Sequence, residues 1–272
     1  MIRSGPTLLC MIPAIALLFA SATAKAEFQS REEALAALEK YSRMIEAEPH
    51  YAPFHTLRGD AYYDLNDLHA AMQSYTAAIR LDDGQDKAYF GRGMALGRMG
   101  LVDEGIADLD VYIRRHPESS TAYTKRGVRN IWRNNLAAAE RDLVRAIELD
   151  PKNAEAHDDL GVVHARHRRL KEAAHHFGIA IKLDPSYQKA YHNLAIVFYM
   201  TGQYAEALQI LDAGLQLEAS SRNSLLLKSS ILQAMGRVEE AKQLAGQAEF
   251  LPEDNWSERS AIVEASKNGE DK

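Results

Sequence analysis

Gly59, Gly93, Gly127 and Gly161 are each 34 residues apart, and the same step lands next on Ala195 and Ser229. A fixed period of this length means that one supersecondary unit is being repeated, which constrains the fold more than composition can. Two further columns of small residues keep the register. One reads Ala71, Gly105, Ala139, Ala173, Ala207 and Ala241, and the other Ala78, Tyr112, Ala146, Ala180, Gly214 and Ala248. Between them runs a mostly large column, Tyr75, Leu109, Leu143, Phe177, Leu211 and Ala245. Small residues at a crossing let two antiparallel helices of about 14 residues approach closely, and large ones a turn away fill the adjacent holes. Asn66, Gly100, Asn134, Gly202 and Gly236 suit a left-handed exit from the first helix of each pair. Leu149-Asp150-Pro151 and Leu183-Asp184-Pro185 end second helices, because the residue before proline is pushed out of the α region.

The stretches RGDAYYDLNDLHAAMQSYTAAIRLDD (58–83) and LGVVHARHRRLKEAAHHFGIAIKLDP (160–185) resemble tetratricopeptide repeats. The resemblance implies an all-α fold, a right-handed solenoid of antiparallel helix pairs. It covers six repeats, at 52–85, 86–119, 120–153, 154–187, 188–221 and 222–254. Ala37, Tyr41, Met44 and Pro49 carry the register into a half-repeat within 27–51, expected as an N-terminal capping helix. Residues 255–272 are expected as a C-terminal capping helix around Trp256 and Ile262, followed by a disordered tail.

Residues 1–26 read as a signal peptide: Arg3, an apolar run from Leu8 to about Ala22, then the A-x-A patterns Ala22-Thr23-Ala24 and Ala24-Lys25-Ala26. The run is short against the ~20 residues a membrane span needs. The expected location is therefore periplasmic or secreted, with no stable membrane span after cleavage. The single cysteine, Cys10, lies in that leader, so the mature chain has no thiol for a disulfide, nucleophile or metal site. A net charge of −6 makes nucleic acid a poor partner, since that needs a basic surface.

Repeats of this family mostly supply a binding surface, so the expected partner is a protein or peptide. The resemblance places the concave groove on the first helices, and its candidate binding residues are Tyr63, Phe90, Met94, Arg98, Lys125, Trp132, Arg166, His192, Ile196 and Tyr199. Their aromatic and apolar groups are the usual anchors of interfaces. The Lys/Asn/Arg clamp with which some family members grip a C-terminal carboxylate is missing, because the asparagines are absent. Arg129 and Asn130 occupy slots that are mostly apolar or aromatic elsewhere, such as Ala95 and Leu96. A charge there needs a partner, and Asp142 or Glu140 is the expected one, unless the repeat is locally rotated.

Five of the ten histidines fall in the fourth repeat: His157, His164, His167, His175 and His176. His157 and His164 sit in columns held elsewhere by tyrosine, phenylalanine or leucine, so they read as packing residues. The H-E-x-x-H pattern of zinc enzymes is absent, as are phosphate loops, G-x-S-x-G and dinucleotide fingerprints. Asp158 and Asp159 could supply a general base only if a substrate met them in the groove. The expectation is a non-catalytic scaffold without cofactor or metal. Its alternatives are a regulatory or adaptor subunit of an envelope enzyme or secretion complex, gripped by its outer face, and a metal-binding solenoid.

Overall fold

Six residues in the left-handed region set the rhythm of the chain: Asn66 (φ 63°), Gly100 (83°), Asn134 (62°), Arg168 (61°), Gly202 (75°) and Gly236 (78°). Each ends the first helix of a pair. The amide three residues past each helix end then bonds back five residues, as in Asp67 N–H to the Tyr62 carbonyl (2.9 Å) and Arg237 N–H to the Leu232 carbonyl (2.9 Å). This closes the orphan carbonyls of the helix end. The same residue opens the next helix. The side chains of Asp67 and Asn135 accept from Ala70 N–H and Ala138 N–H.

The computed structural model describes residue 28 and residues 30–252. They form thirteen helices and no strand. A lone α1 (Arg31–Ala47) precedes six pairs: α2 (Ala52–Asp64) with α3 (Leu68–Leu81), α4 (Asp86–Arg98) with α5 (Val102–Arg115), and α6 (Ser120–Trp132) with α7 (Leu136–Leu149). Then follow α8 (Ala154–Arg166) with α9 (Leu170–Leu183), α10 (Gln188–Met200) with α11 (Tyr204–Leu217), and α12 (Arg222–Ala234) with α13 (Val238–Glu249). The leader, the cleavage site and the expected C-terminal cap lie outside the described residues.

Within each pair the crossing is made by the small columns. A Cβ on Gly161 would lie 2.6 Å from the Phe177 ring, and one on Gly105 2.8 Å from the Gly93 carbonyl oxygen. The large column is sealed: Tyr75, Leu109, Leu143, Phe177 and Leu211 are all buried. Successive first helices also pack on one another, α2 on α4, α6 on α8 and α10 on α12, and second helices have no comparable packing. First helices therefore line the inner side of the curve.

A polar ladder joins the helices of the early repeats. Arg58 reaches Ser74 (3.3 Å), Arg92 grips Asp108 with two bonds (2.7 and 2.8 Å), and Arg126 grips Asp142 likewise (3.0 and 2.6 Å). Arg92 also reaches back to Thr76 (3.2 Å) and Arg126 to Asp110 (2.6 Å), so each arginine ties three helices together. The same slots in the fourth and fifth repeats hold Leu160 with His176 and Leu194 with Ile210, which interrupt the ladder until Lys228 reaches back to Asp212 (2.5 Å) in the sixth.

Arg168 is the one left-handed slot filled by neither glycine nor asparagine. An L-residue with a Cβ is strained there by about 1–2 kcal/mol. Because the Arg168 side chain is exposed, nothing is lost with it. Arg168→Gly is expected to raise stability by about 0.5–1 kcal/mol, less than the full strain because glycine frees the unfolded chain. A urea titration measures this. An unchanged or lower midpoint contradicts it.

Candidate interaction groove

The inner helices bring the sequence-predicted residues to one side but at different depths. Tyr63, Phe90, Met94, Arg98, Trp132, Arg166 and Tyr199 are half-buried. Lys125, His192 and Ile196 are buried, at 8%, 3% and 6% exposure. The periodicity places all of them on the first helices, but depth depends on what packs beside them. His192, for example, lies with Nδ1 3.4 Å from the Ser224 hydroxyl on α12. Burial pushes its imidazole down to about 3, so the ring is neutral at pH 7.

The half-buried aromatics already have partners within the chain. The Arg98 guanidinium lies over the Tyr63 ring, 5.1 Å from its centroid. Phe90 packs against Tyr112 at 5.1 Å, and Tyr199 against Tyr204 at 5.9 Å. Arg98 also donates to the Asn66 side chain (2.6 Å), and Arg166 to the Asn134 side chain and the Ile131 carbonyl (both 3.0 Å). Both arginines thus clamp the left-handed turn of the preceding repeat, and this work holds them in place.

Arg129 is fully buried, but not against the expected acids. Asp142 is taken by Arg126 and by the Asn130 amide (3.1 Å), and Glu140 by Arg169 (2.8 Å). The Arg129 side chain instead runs across to α4. There Gly97 has no Cβ, and any added one would collide with the Arg129 Nε. Its Nη2 approaches the Met94 carbonyl (3.4 Å) and sulfur (3.5 Å), and its guanidinium stacks over the Trp132 ring at 4.5 Å. Cation–π stacking is worth most where water is excluded, as here. Met94, Gly97, Arg129 and Trp132 therefore form one unit across two repeats.

Beside it runs a row of alternating charge. Lys125 pairs with Glu155. Lys189 lies 3.2 Å from Asp158 and 3.3 Å from Asp159, and the Asn193 amide donates to Asp158 (2.9 Å). Burial alone would raise the Glu155 carboxyl, but the Lys125 ammonium holds it below the usual range. At Asp158 burial wins and the carboxyl is raised, against the pull of Lys189 and Asn193. The sequence reading passed over Glu155 and Asn193. Their signal was opposite charge at a spacing one step short of the period: Lys125 with Glu155 and Lys189 with Asp159 at 30 residues, Arg169 with Glu140 at 29.

The half-buried rings and guanidinium groups keep some stacking and hydrogen-bonding surface towards solvent, whereas most of the charged row is buried and paired within the chain. Among the described residues no group of three or more His, Cys, Asp or Glu is placed to hold a metal ion. No helix among them is long and apolar enough to cross a membrane.

Models of the tetratricopeptide repeat match residues 59–100, 87–119, 133–177 and 159–223. The chain carries tetratricopeptide repeats. No curated protein matches its sequence. Among solved structures it is similar to a chain of the APC/C hetero-tetramer Cut9–Hcn1, with a TM-score of 0.75 and 16% identity. That match covers 87% of this chain and 46% of the other, so this chain spans less than half of that protein. A tetratricopeptide repeat protein from Parabacteroides merdae matches with a TM-score of 0.70 and 19% identity, over 87% of this chain and 93% of that one. PilW, described as a widely conserved type IV pilus biogenesis factor, matches with a TM-score of 0.67 and 18% identity, over 79% and 98%. At these identities the likeness establishes the fold alone, a helical solenoid.

Proposed function

We propose that the protein is an exported, non-catalytic scaffold that holds a protein or peptide partner along its concave face. The observation that carries this reading is the row Tyr63, Met94, Trp132 and Tyr199. These groups remain in partial contact with solvent on four of the inner helices, α2, α4, α6 and α10, so that part of each is left open to a partner. Arg98 and Arg129 hold two of the rings rigid, which lowers the entropy an arriving partner must give up. The polar row from Lys125 to Asn193 is mostly buried beneath these groups and ties together the helices that present them. Cut9–Hcn1 is a hetero-tetramer and PilW a pilus biogenesis factor, which agrees with a holding role. The leader-like N-terminus supports export, and the cell envelope is the setting that follows.

Affinity purification from the periplasmic fraction tests all three parts. Recovered protein is expected to start at Glu27. Trp132→Ala with Tyr199→Ala is expected to weaken partner capture by about thirtyfold or more, as for hot-spot aromatics, with the circular dichroism spectrum retained. Crosslinks from position 132 should exceed those from Arg141, which is exposed on α7. Unchanged capture with crosslinks concentrated at Arg141 would move the interface to the outer face, where an adaptor of an envelope enzyme would be gripped. A protein retained in the cytoplasm with residues 1–26 intact would defeat the export reading.

A further inference from the structure

The fourth repeat stacks three imidazoles between α8 and α9. The His176 ring lies 5.3 Å from His157 and 5.1 Å from His164, both nearly parallel to it, and His175 meets it edge-on at 5.6 Å. The His157 slot holds His55 in the first repeat, which meets the Pro49 carbonyl in the same way (2.9 Å), and Tyr89, Tyr123 and Tyr191 in the second, third and fifth; only the fourth repeat adds histidines in the His164 slot, Phe198 in the fifth, and in the His176 slot, Ile210 in the fifth.

The hydrogen bonds fix the protons. Tyr191 donates its hydroxyl to the Pro185 carbonyl (3.1 Å), and His157 Nε2 lies against the Pro151 carbonyl at the same offset (3.3 Å). A carbonyl can only accept, so His157 carries its proton on Nε2. A neutral ring then offers Nδ1 as an acceptor. His157 Nδ1 lies 3.1 Å from His176 Nδ1, so His176 is the donor of that bond. The chain of bonds runs from His176 through His157 to Pro151 and works only while His157 is neutral. Protonating His157 sets two N–H groups against each other. Protonating His176 on Nε2 places a cation against His164, whose Nδ1 is buried without a hydrogen-bond partner.

We propose that these stacked imidazoles make the α8–α9 pair an acid-sensitive joint, which loosens on protonation while the preceding pairs α4–α5 and α6–α7 stay closed. Burial, reinforced by the other histidines, pushes His176 down to about 4. Burial also lowers His157, with His175 adding to it. At His164 burial again leads. Arg169 and His167 act with it, and Glu140 on α7 and Glu172 on α9 oppose it without prevailing. All three rings are neutral above about pH 6.5, the ordinary histidine value. As pH falls from there towards 4, the opened state takes up protons that the closed state refuses, so opening is favoured; below about 4 the effect of His176 levels off. Because α8 also carries Glu155 and Asp158, loosening would disturb the polar row. That consequence rests on the groove reading above, and the joint itself does not.

Amide hydrogen exchange of the full chain at pH 7.5 and 5.0, corrected for intrinsic rates, tests the joint without any partner. From His176 alone, opening of α8 and α9 should rise about thirtyfold at pH 5.0. Peptides from α4–α5 and α6–α7, whose helices carry no histidine, should change about twofold or less, whereas α10 carries the buried His192 and is no control. The variant His157→Tyr, His164→Phe, His176→Ile borrows the residues of the fifth repeat and should remove the difference. Equal acid sensitivity in all repeats, or its persistence in that variant, overturns the proposal. Should the variant not fold, the ring-nitrogen titration of the wild-type protein decides. His176 titrating near 4 supports the joint, and all three rings titrating near 6.5 overturn it.

Discussion

Tyr75→Ala is expected to cost about 4 kcal/mol, the range for deleting a buried aromatic ring. Tyr75 is 1% exposed. Its ring is wedged between two glycines: a Cβ on Gly59 would lie 2.6 Å from it, and one on Gly91 would overlap it. Gly59 belongs to its own repeat and Gly91 to the next, so the ring holds α2, α3 and α4 together. Backbone on both sides cannot collapse into the space that alanine leaves, and the cavity persists. Tyr75→Phe keeps the wedge and loses only the hydroxyl bond to Asp60 (2.7 Å), at a cost of about 1 kcal/mol. Thermal denaturation followed by circular dichroism separates the two variants. Hydrogen exchange should place the damage in α2–α4, because in a solenoid each unit leans only on its neighbours. Equal losses in both variants would mean that the hydroxyl, and not the ring, carries the contact.

Arg126→Leu is expected to destabilise the protein by about 2–3 kcal/mol, measured as a shift in urea midpoint. The substitution leaves the Asp142 carboxylate, 7% exposed, without its bidentate partner. Removing one member of a buried pair costs about 3–5 kcal/mol, and the figure is lowered here because the Arg126 side chain is 22% exposed. The double variant Arg126→Leu, Asp142→Ile imports the apolar pair that the fifth repeat uses, Leu194 with Ile210. It should recover most of the loss, since well-packed apolar residues often replace a buried ion pair without penalty. A residue of about 1 kcal/mol should remain, because the Asn130 amide loses its acceptor. A double variant no better than the single one would show that this site needs the charge itself.

The fold class was legible because glycine and asparagine announce left-handed turns and small columns announce helix crossings. Arg168 escaped notice because nothing in an arginine signals a left-handed backbone; only its place, 34 residues from its counterparts, does. The groove was legible in outline and not in detail. Periodicity says which face a residue is on, but it does not say how deep. Lys125 and Ile196 are sunk among neighbours supplied by other repeats. It also gives no direction for a long side chain. Arg129 was expected at Asp142 or Glu140, both close in sequence. It crosses instead to Gly97, where a missing side chain left room. A hollow is harder to read from sequence than an opposite charge.

The ladder of arginines has a mechanical consequence. In the first half of the solenoid, Arg92 and Arg126 hold neighbouring helices by forked, directional bonds that break if the helices slide by an ångström or two. In the fifth repeat leucine and isoleucine take their place, Leu194 with Ile210, and apolar surfaces can shear slightly at little cost. In the sixth, Lys228 again reaches back to Asp212. The molecule is a spring with one softer coil, and when the superhelix is stretched or twisted, strain should collect there.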